Sequence, residues 1–185
     1  MKRHEVKNLF LSEVKQLEGT ILEVGFGKPS FFEKYSDKAK IYGADFSSDV
    51  VKETKQLLTN LDKTQSVNVL YSTSEKLPFH DNSFDFIVLS FCFCCLTKPK
   101  NILLEINRVA KNGGQIISFD HIRSNGLIGL FLDLSTPVYA FMHNNCHLNR
   151  NPLTYYREQN VSVLSEVKSK EKFIPWLYTK CLIQK

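Results

Sequence analysis

Thr20-Ile21-Leu22-Glu23-Val24-Gly25-Phe26-Gly27 is the stretch on which the fold turns. Its apolar run stops at two glycines one residue apart. That pattern suits a buried strand entering a sharp turn, where missing side chains let the backbone approach a ligand closely.

Working outward, the chain alternates between two periods. Val6, Leu9, Phe10, Val14 and Leu17 share one helical face, so residues 4–18 read as an amphipathic helix ended by Gly19. After the strand at 20–24, a short helix is expected over 31–35, entered at Pro29, then a second strand at 40–45. Ser47 or Ser48 caps a helix with Val50, Leu57, Leu58 and Leu61 inward. Strands follow at 67–71 and 84–90. Pro99 opens a helix with Ile102, Leu103, Ile106 and Val109 inward, stopped by Asn112-Gly113-Gly114 before a fifth strand at 115–119. Residues 121–159 read as apolar, aromatic and irregular. Two last strands, near 162–169 and 176–183, have no long helix between them and should pair antiparallel at the sheet edge. The sum is an α/β, Rossmann-like, doubly wound and mostly parallel sheet with helices on both faces. Its ligand crevice lies outside the strands' carboxyl ends, which places Gly25, Asp45, Thr73, residues 90–95, Asp120 and His121 on one rim. Asp45 stands 20 residues beyond Gly25. A carboxylate there can accept the hydroxyl protons of a ribose.

Size bounds this reading. A chain of 185 residues suits one domain, 1–185. The net charge of +5 is spread without basic clusters, so nucleic acid is not expected as a partner. No apolar run reaches the ~20 residues of a membrane span, and the N-terminus does not read as a signal peptide. Five cysteines fit a reducing compartment, so a cytoplasmic enzyme is expected; its oligomeric state stays open.

Five stretches together resemble the class I S-adenosylmethionine-dependent methyltransferases, especially the branch of ubiquinone and menaquinone biosynthesis. They are residues 21–27, Gly43-Ala44-Asp45-Phe46-Ser47, residues 74–79, Asp81-Asn82-Ser83-Phe84-Asp85 and residues 105–114, in family order over about 20–120. The resemblance implies a seven-stranded sheet with a reversed last strand and S-adenosylmethionine as cofactor. It also implies roles. Gly25, Phe26 and Gly27 form the loop at the methionine part, with Glu23 beneath it. Asp45 holds the ribose, Phe46 lies against the adenine, Thr73 and Ser74 edge that ring, and Glu75 belongs to the cofactor-binding set. Ser90 opens toward the methyl group. Two positions depart from the family pattern: Pro29 replaces a usual glycine and Thr73 a usual aspartate, which leaves a catalytically silent cofactor-binding module as one alternative. An NAD(P)-binding oxidoreductase is the other, since a Gly-x-Gly loop with a downstream acid serves both. Its third glycine would fall on Ser30, however, and Leu77-Pro78-Phe79 with Asn112-Gly113-Gly114 favours the methyltransferase.

The acceptor is expected to be a small apolar or aromatic molecule held by residues 127–156, including Phe131, Tyr139, Phe141, Tyr155 and Tyr156, and methylated in line. His121 is the candidate base for the acceptor's proton. If the strand continued, Cys92 and Cys94 would share a face with Cys95 turned away; all three are expected as small buried residues. His143, Cys146 and His147 lack a fourth partner, so no metal site is expected.

Overall fold

The computed structural model describes residues 1–27, 32–60, 67–73, 76–159 and 161–185. Helix α1 (Arg3–Lys15) leads into β1 (Gly19–Val24) and a short 3₁₀ turn at Phe32–Lys34. Then come β2 (Ala39–Asp45), α2 (Ser48–Asn60), β3 (Val67–Tyr71), β4 (Phe84–Ser90), α3 (Pro99–Val109) and β5 (Ala110–His121). The chain continues through α4 (Gly126–Met142), α5 (Pro152–Glu158), β6 (Val161–Lys168) and β7 (Trp176–Ile183). Pro29, Ser30 and Leu61 lie outside the described residues.

The strands form one seven-stranded sheet in the order β3-β2-β1-β4-β5-β7-β6. All neighbours are parallel except β7, which inserts antiparallel between β5 and β6. The reversed last strand is therefore present. The order changes direction between β1 and β4, and that switch point opens a crevice at the strands' carboxyl ends.

Alternation along the strands builds a core on each face. Leu22, Val24, Ile87 and Leu89 point to the side covered by Ile102, Leu103, Ile106 and Val109 of α3 and Tyr156 of α5. Ile21, Val88 and Ile117 point to the side covered by Val6, Phe10 and Val14 of α1 and by Val51 and Leu58 of α2. Strands buried on both faces explain the continuous apolar runs in the sequence. Two of the quoted stretches also meet. The Leu77 amide donates to Glu105 Oε2 at 2.8 Å, while Arg108 donates to the Leu77 and Phe79 carbonyls and to Glu105 and Asp81.

Three expectations need correction. The buried face of α2 is Val51, Thr54 and Leu58, with Leu57 exposed. Thr54 can turn inward because its hydroxyl donates to the Val50 carbonyl at 2.7 Å. Asn112-Gly113-Gly114 lies inside β5: α3 ends at Val109, Ala110 already pairs with Phe84, and the register shifts before Phe86 pairs with Gln115. Such a shift is how a strand absorbs extra residues. Residues 121–159 are not irregular but carry α4 and α5. As expected, β4 stops at Ser90, and Cys95 N–H donates to the Cys92 carbonyl at 3.0 Å, so the cysteines occupy the turn that follows.

Candidate active site

The turn after β1 is built around its glycines. Gly25 has φ +64° and Gly27 φ +55°, both in the left-handed region that penalises a side chain. A Cβ on Gly25 would also stand 2.5 Å from Cys92 Sγ, whereas one on Gly27 would meet nothing within 4 Å. The turn is locked to the next strand. Gly25 N–H donates to the Ala44 carbonyl at 2.7 Å, and Gly27 N–H to Asp45 Oδ2 at 2.8 Å. The other carboxylate oxygen of Asp45 accepts from Ser47 N–H at 2.9 Å. Phe26 turns its ring into the core, 5.3 Å from that of Phe32 and against Gly43.

Beneath the turn, Glu23 is buried and its Oε2 accepts from the Tyr35 hydroxyl at 2.9 Å. Burial pushes its carboxyl up to about 7, with the Tyr35 bond opposing and the charge of Asp45 adding to the rise.

A cavity of about 440 Å³ opens over this turn, lined by Gly25, Gly27, Asp45, Phe46, Ser47, Val50, Phe91, Cys92, Cys95, Leu96 and Asn144. Its size is within the roughly 300–1,000 Å³ of small-molecule sites. The walls come from the ends of β1, β2 and β4, as the switch point dictates. Phe91 holds φ +54°, rare for an aromatic residue, and its ring packs edge-on to Phe119 and Trp176. Backbone strain of this kind concentrates at binding sites.

The structure thus brings Gly25, Gly27, Asp45 and Phe46 together around one cavity and leaves other expected residues apart. Thr73 is exposed, bridges to Lys76 and does not line the cavity. Ser74 and Glu75 lie outside the described residues. Ser90 is buried at the end of β4, its hydroxyl without a partner among the described residues. His121 is buried and does not line the cavity either; its Nε2 is 3.2 Å from Cys146 Sγ. Burial lowers its pKa, Asp120 opposing. Burial likewise pushes the neighbouring Asp120 carboxyl up to about 7.

Little of the expected acceptor segment reaches this cavity. Tyr156 is fully buried in the core, and Phe131 and Phe141 of α4 face outward, 58% and 93% exposed. Of residues 127–156, Asn144 is the one that lines this cavity. Val50, Phe91, Cys95 and Leu96 instead supply its apolar walls, carried by the first turn of α2 and the turn after β4. His143 and His147 do not gather on Cys146: His143 stacks on Tyr139, and His147 pairs with Asn145 Oδ1 at 3.1 Å. Cys146 meets Cys94 and Cys95. No helix among the described residues is long and apolar enough to cross a membrane.

The fold and the glycine turn define a class I methyltransferase architecture, and comparison with known proteins agrees. Residues 22–118 match the methyltransferase domain family, and the chain belongs to that family. It is 25% identical over 159 residues to the thiol S-methyltransferase TMT1B of Rattus norvegicus, covering 80% of this chain and 64% of that protein. It is 32% identical over 88 residues to a demethylmenaquinone methyltransferase of Bacillus cereus, covering 48% of this chain and 37% of that one. The matches therefore span one to two thirds of those relatives' lengths. The YcgJ protein of Bacillus subtilis superposes with a TM-score of 0.80 over 98% of this chain and 99% of its own, at 12% identity.

Proposed function

We propose that this chain binds S-adenosylmethionine in the cavity over Gly25 and Gly27 and transfers its methyl group to a small acceptor. The observation that carries the reading is the Asp45 carboxylate, anchored by two backbone N–H groups at the cavity wall of a methyltransferase-family chain. The residues fit the cofactor. Each Asp45 oxygen spends one lone pair on the backbone and keeps another for a ribose hydroxyl. Phe46 and Val50 offer apolar surface to the adenine, and open space at Gly27 admits the methionine part. Glu23 supports the turn from beneath.

When bound, the cofactor supplies a methyl group on a positively charged sulfur, already a good leaving group. What remains to the protein is to align the acceptor, keep water out and hold the turn rigid. His121 faces Cys146 and does not line the cavity, so no base role is assigned to it. The apolar walls Phe91 and Leu96, on the side away from Val50, favour a small apolar or aromatic acceptor. Similarity to a thiol S-methyltransferase over most of the chain supports a second reading, a small apolar thiol.

The test is release of S-adenosylhomocysteine with a panel of phenols, quinols and alkyl thiols. Turnover with one class and none with the others assigns the acceptor. Tight cofactor binding with no turnover across the panel would favour a silent binding module, and binding of NADH alone would favour the oxidoreductase.

A further inference from the structure

Three free thiols from two distant turns of the chain converge beside the cavity. The sulfurs of Cys94, Cys95 and Cys146 all lie within 4.8 Å of one another, and the first two are 3.5 Å apart. The scaffold that holds them is specific. Arg150 donates to the carbonyls of Phe93, Cys94 and Leu96, fixing the turn after β4. His147 N–H reaches the Cys94 carbonyl at 2.9 Å and Asn145 Nδ2 the Cys95 carbonyl at 3.0 Å, which ties the loop after α4 to that turn. Asn144 and Asn145 adopt positive φ to make the connection. Packing alone does not demand this arrangement, because Cys95 and Cys146 are only half-buried and Cys95 lines the cavity.

We propose that Cys94, Cys95 and Cys146 form a three-sulfur site for a thiophilic divalent ion of the Zn²⁺ class, with His121 Nε2 as the fourth donor. Zn–S bonds of about 2.3 Å in a tetrahedron place sulfurs about 3.8 Å apart, near the 3.5 Å between Cys94 and Cys95 and below the 4.8 Å that bounds all three. His121 Nε2 is 3.2 Å from Cys146 Sγ but lies outside the group of three sulfurs, so its ring has to swing toward Cys94 and Cys95 to complete the set. Three sulfurs with one imidazole and no carboxylate select a soft ion over Mg²⁺ or Ca²⁺. On binding, each thiol yields its proton to solvent as its sulfur takes the ion. The nearby Arg150 guanidinium offsets part of the remaining negative charge. This site stands independently of methyl transfer, although Cys95 places it at the edge of the same cavity.

The experiment is titration of the full, reduced chain with Co²⁺ without oxygen, followed by displacement with Zn²⁺. The expected result is one equivalent bound, with near-ultraviolet sulfur-to-cobalt charge transfer and the intense visible bands of a tetrahedral ion, both erased by Zn²⁺. Cys146→Ser and Cys95→Ser, each at a half-buried position, should lose the charge-transfer band while keeping the far-ultraviolet dichroism of the fold. Cys181→Ser, on the remote β7, should keep the band. His121→Ala should retain binding about tenfold weaker with shifted visible bands; unchanged affinity and spectrum would remove the nitrogen donor from the proposal. Absence of a sulfur-to-cobalt band in the reduced chain, or its persistence in Cys146→Ser, would overturn the site. A disulfide among the three together with no uptake by the reduced form would overturn it in favour of a redox pair.

Discussion

Gly27 N–H donates to Asp45 Oδ2 at 2.8 Å, a bond across 18 residues that makes the turn after β1 and the end of β2 one rigid rim. A carboxylate already oriented by Gly27 and Ser47 loses little freedom when it takes up a ligand, which is the physical advantage of the arrangement.

Asp45→Ala should therefore weaken S-adenosylmethionine binding by at least about tenfold, since hydrogen bonds to a charged group contribute about 1.5–3 kcal/mol each. Asp45→Asn, which can still accept one backbone bond, should lose less. Calorimetric titration of the two variants checks this; equal affinity in Asp45→Ala and the parent would remove Asp45 from the site.

The two turn glycines should respond differently to alanine. At Gly27 only the positive φ penalises a side chain, at about 1–2 kcal/mol. At Gly25 the Cys92 sulfur adds overpacking, bringing the loss to about 2–4 kcal/mol. Urea unfolding of both variants measures the gap. Adding Cys92→Ala to Gly25→Ala should recover part of the loss, and strict additivity would contradict the contact.

Glu23 sets a pH dependence of definite sign. Its folded pKa of about 7 lies above the ordinary 4.5, so between those values the native state holds a proton that the unfolded chain has released. Stability should fall as pH rises through that window and level off above it, by an amount on the order of a few kcal/mol. Asp120, also pushed up to about 7, acts in the same direction. Glu23→Gln keeps an acceptor for Tyr35 and should flatten part of the slope. Urea midpoints at about pH 5 and about pH 8 test it; identical slopes in parent and variant would contradict the assignment.

Arg108 should matter far more than a surface cation, because it bonds two carboxylates and the carbonyls of Leu77 and Phe79 at once. Arg108→Ala should cost about 2–4 kcal/mol in thermal or urea unfolding. A loss within the ordinary surface range of about 0.5 kcal/mol would show that the network contributes little.

Much of the fold was legible in local pattern. The inward face of α3 and the span of β4 follow from spacing alone, because one helix stripe and one buried run leave a single solution. The inward face of α2 was misread because apolar residues occur on both sides of it and a self-satisfied threonine took a core position. Helix α4 was hidden for a related reason. Leu127, Leu130, Phe131, Leu134, Val138, Phe141 and Met142 are exposed while Leu132 and Ala140 are buried, so no polar face marked its period. Gly25, Gly27 and Asp45 were readable because turn chemistry and spacing are local. The meeting of Cys94 with Cys146 was not, since 52 residues separate them and only tertiary folding joins the two turns.

The central claim is that the cavity over Gly25 and Gly27 holds S-adenosylmethionine. Calorimetric titration of the intact chain with S-adenosylmethionine and, separately, with NADH tests it most directly. Saturable binding of S-adenosylmethionine at one site per chain, abolished or strongly weakened in Asp45→Ala, is the predicted result. No heat of binding with S-adenosylmethionine, or binding of NADH alone, would contradict it.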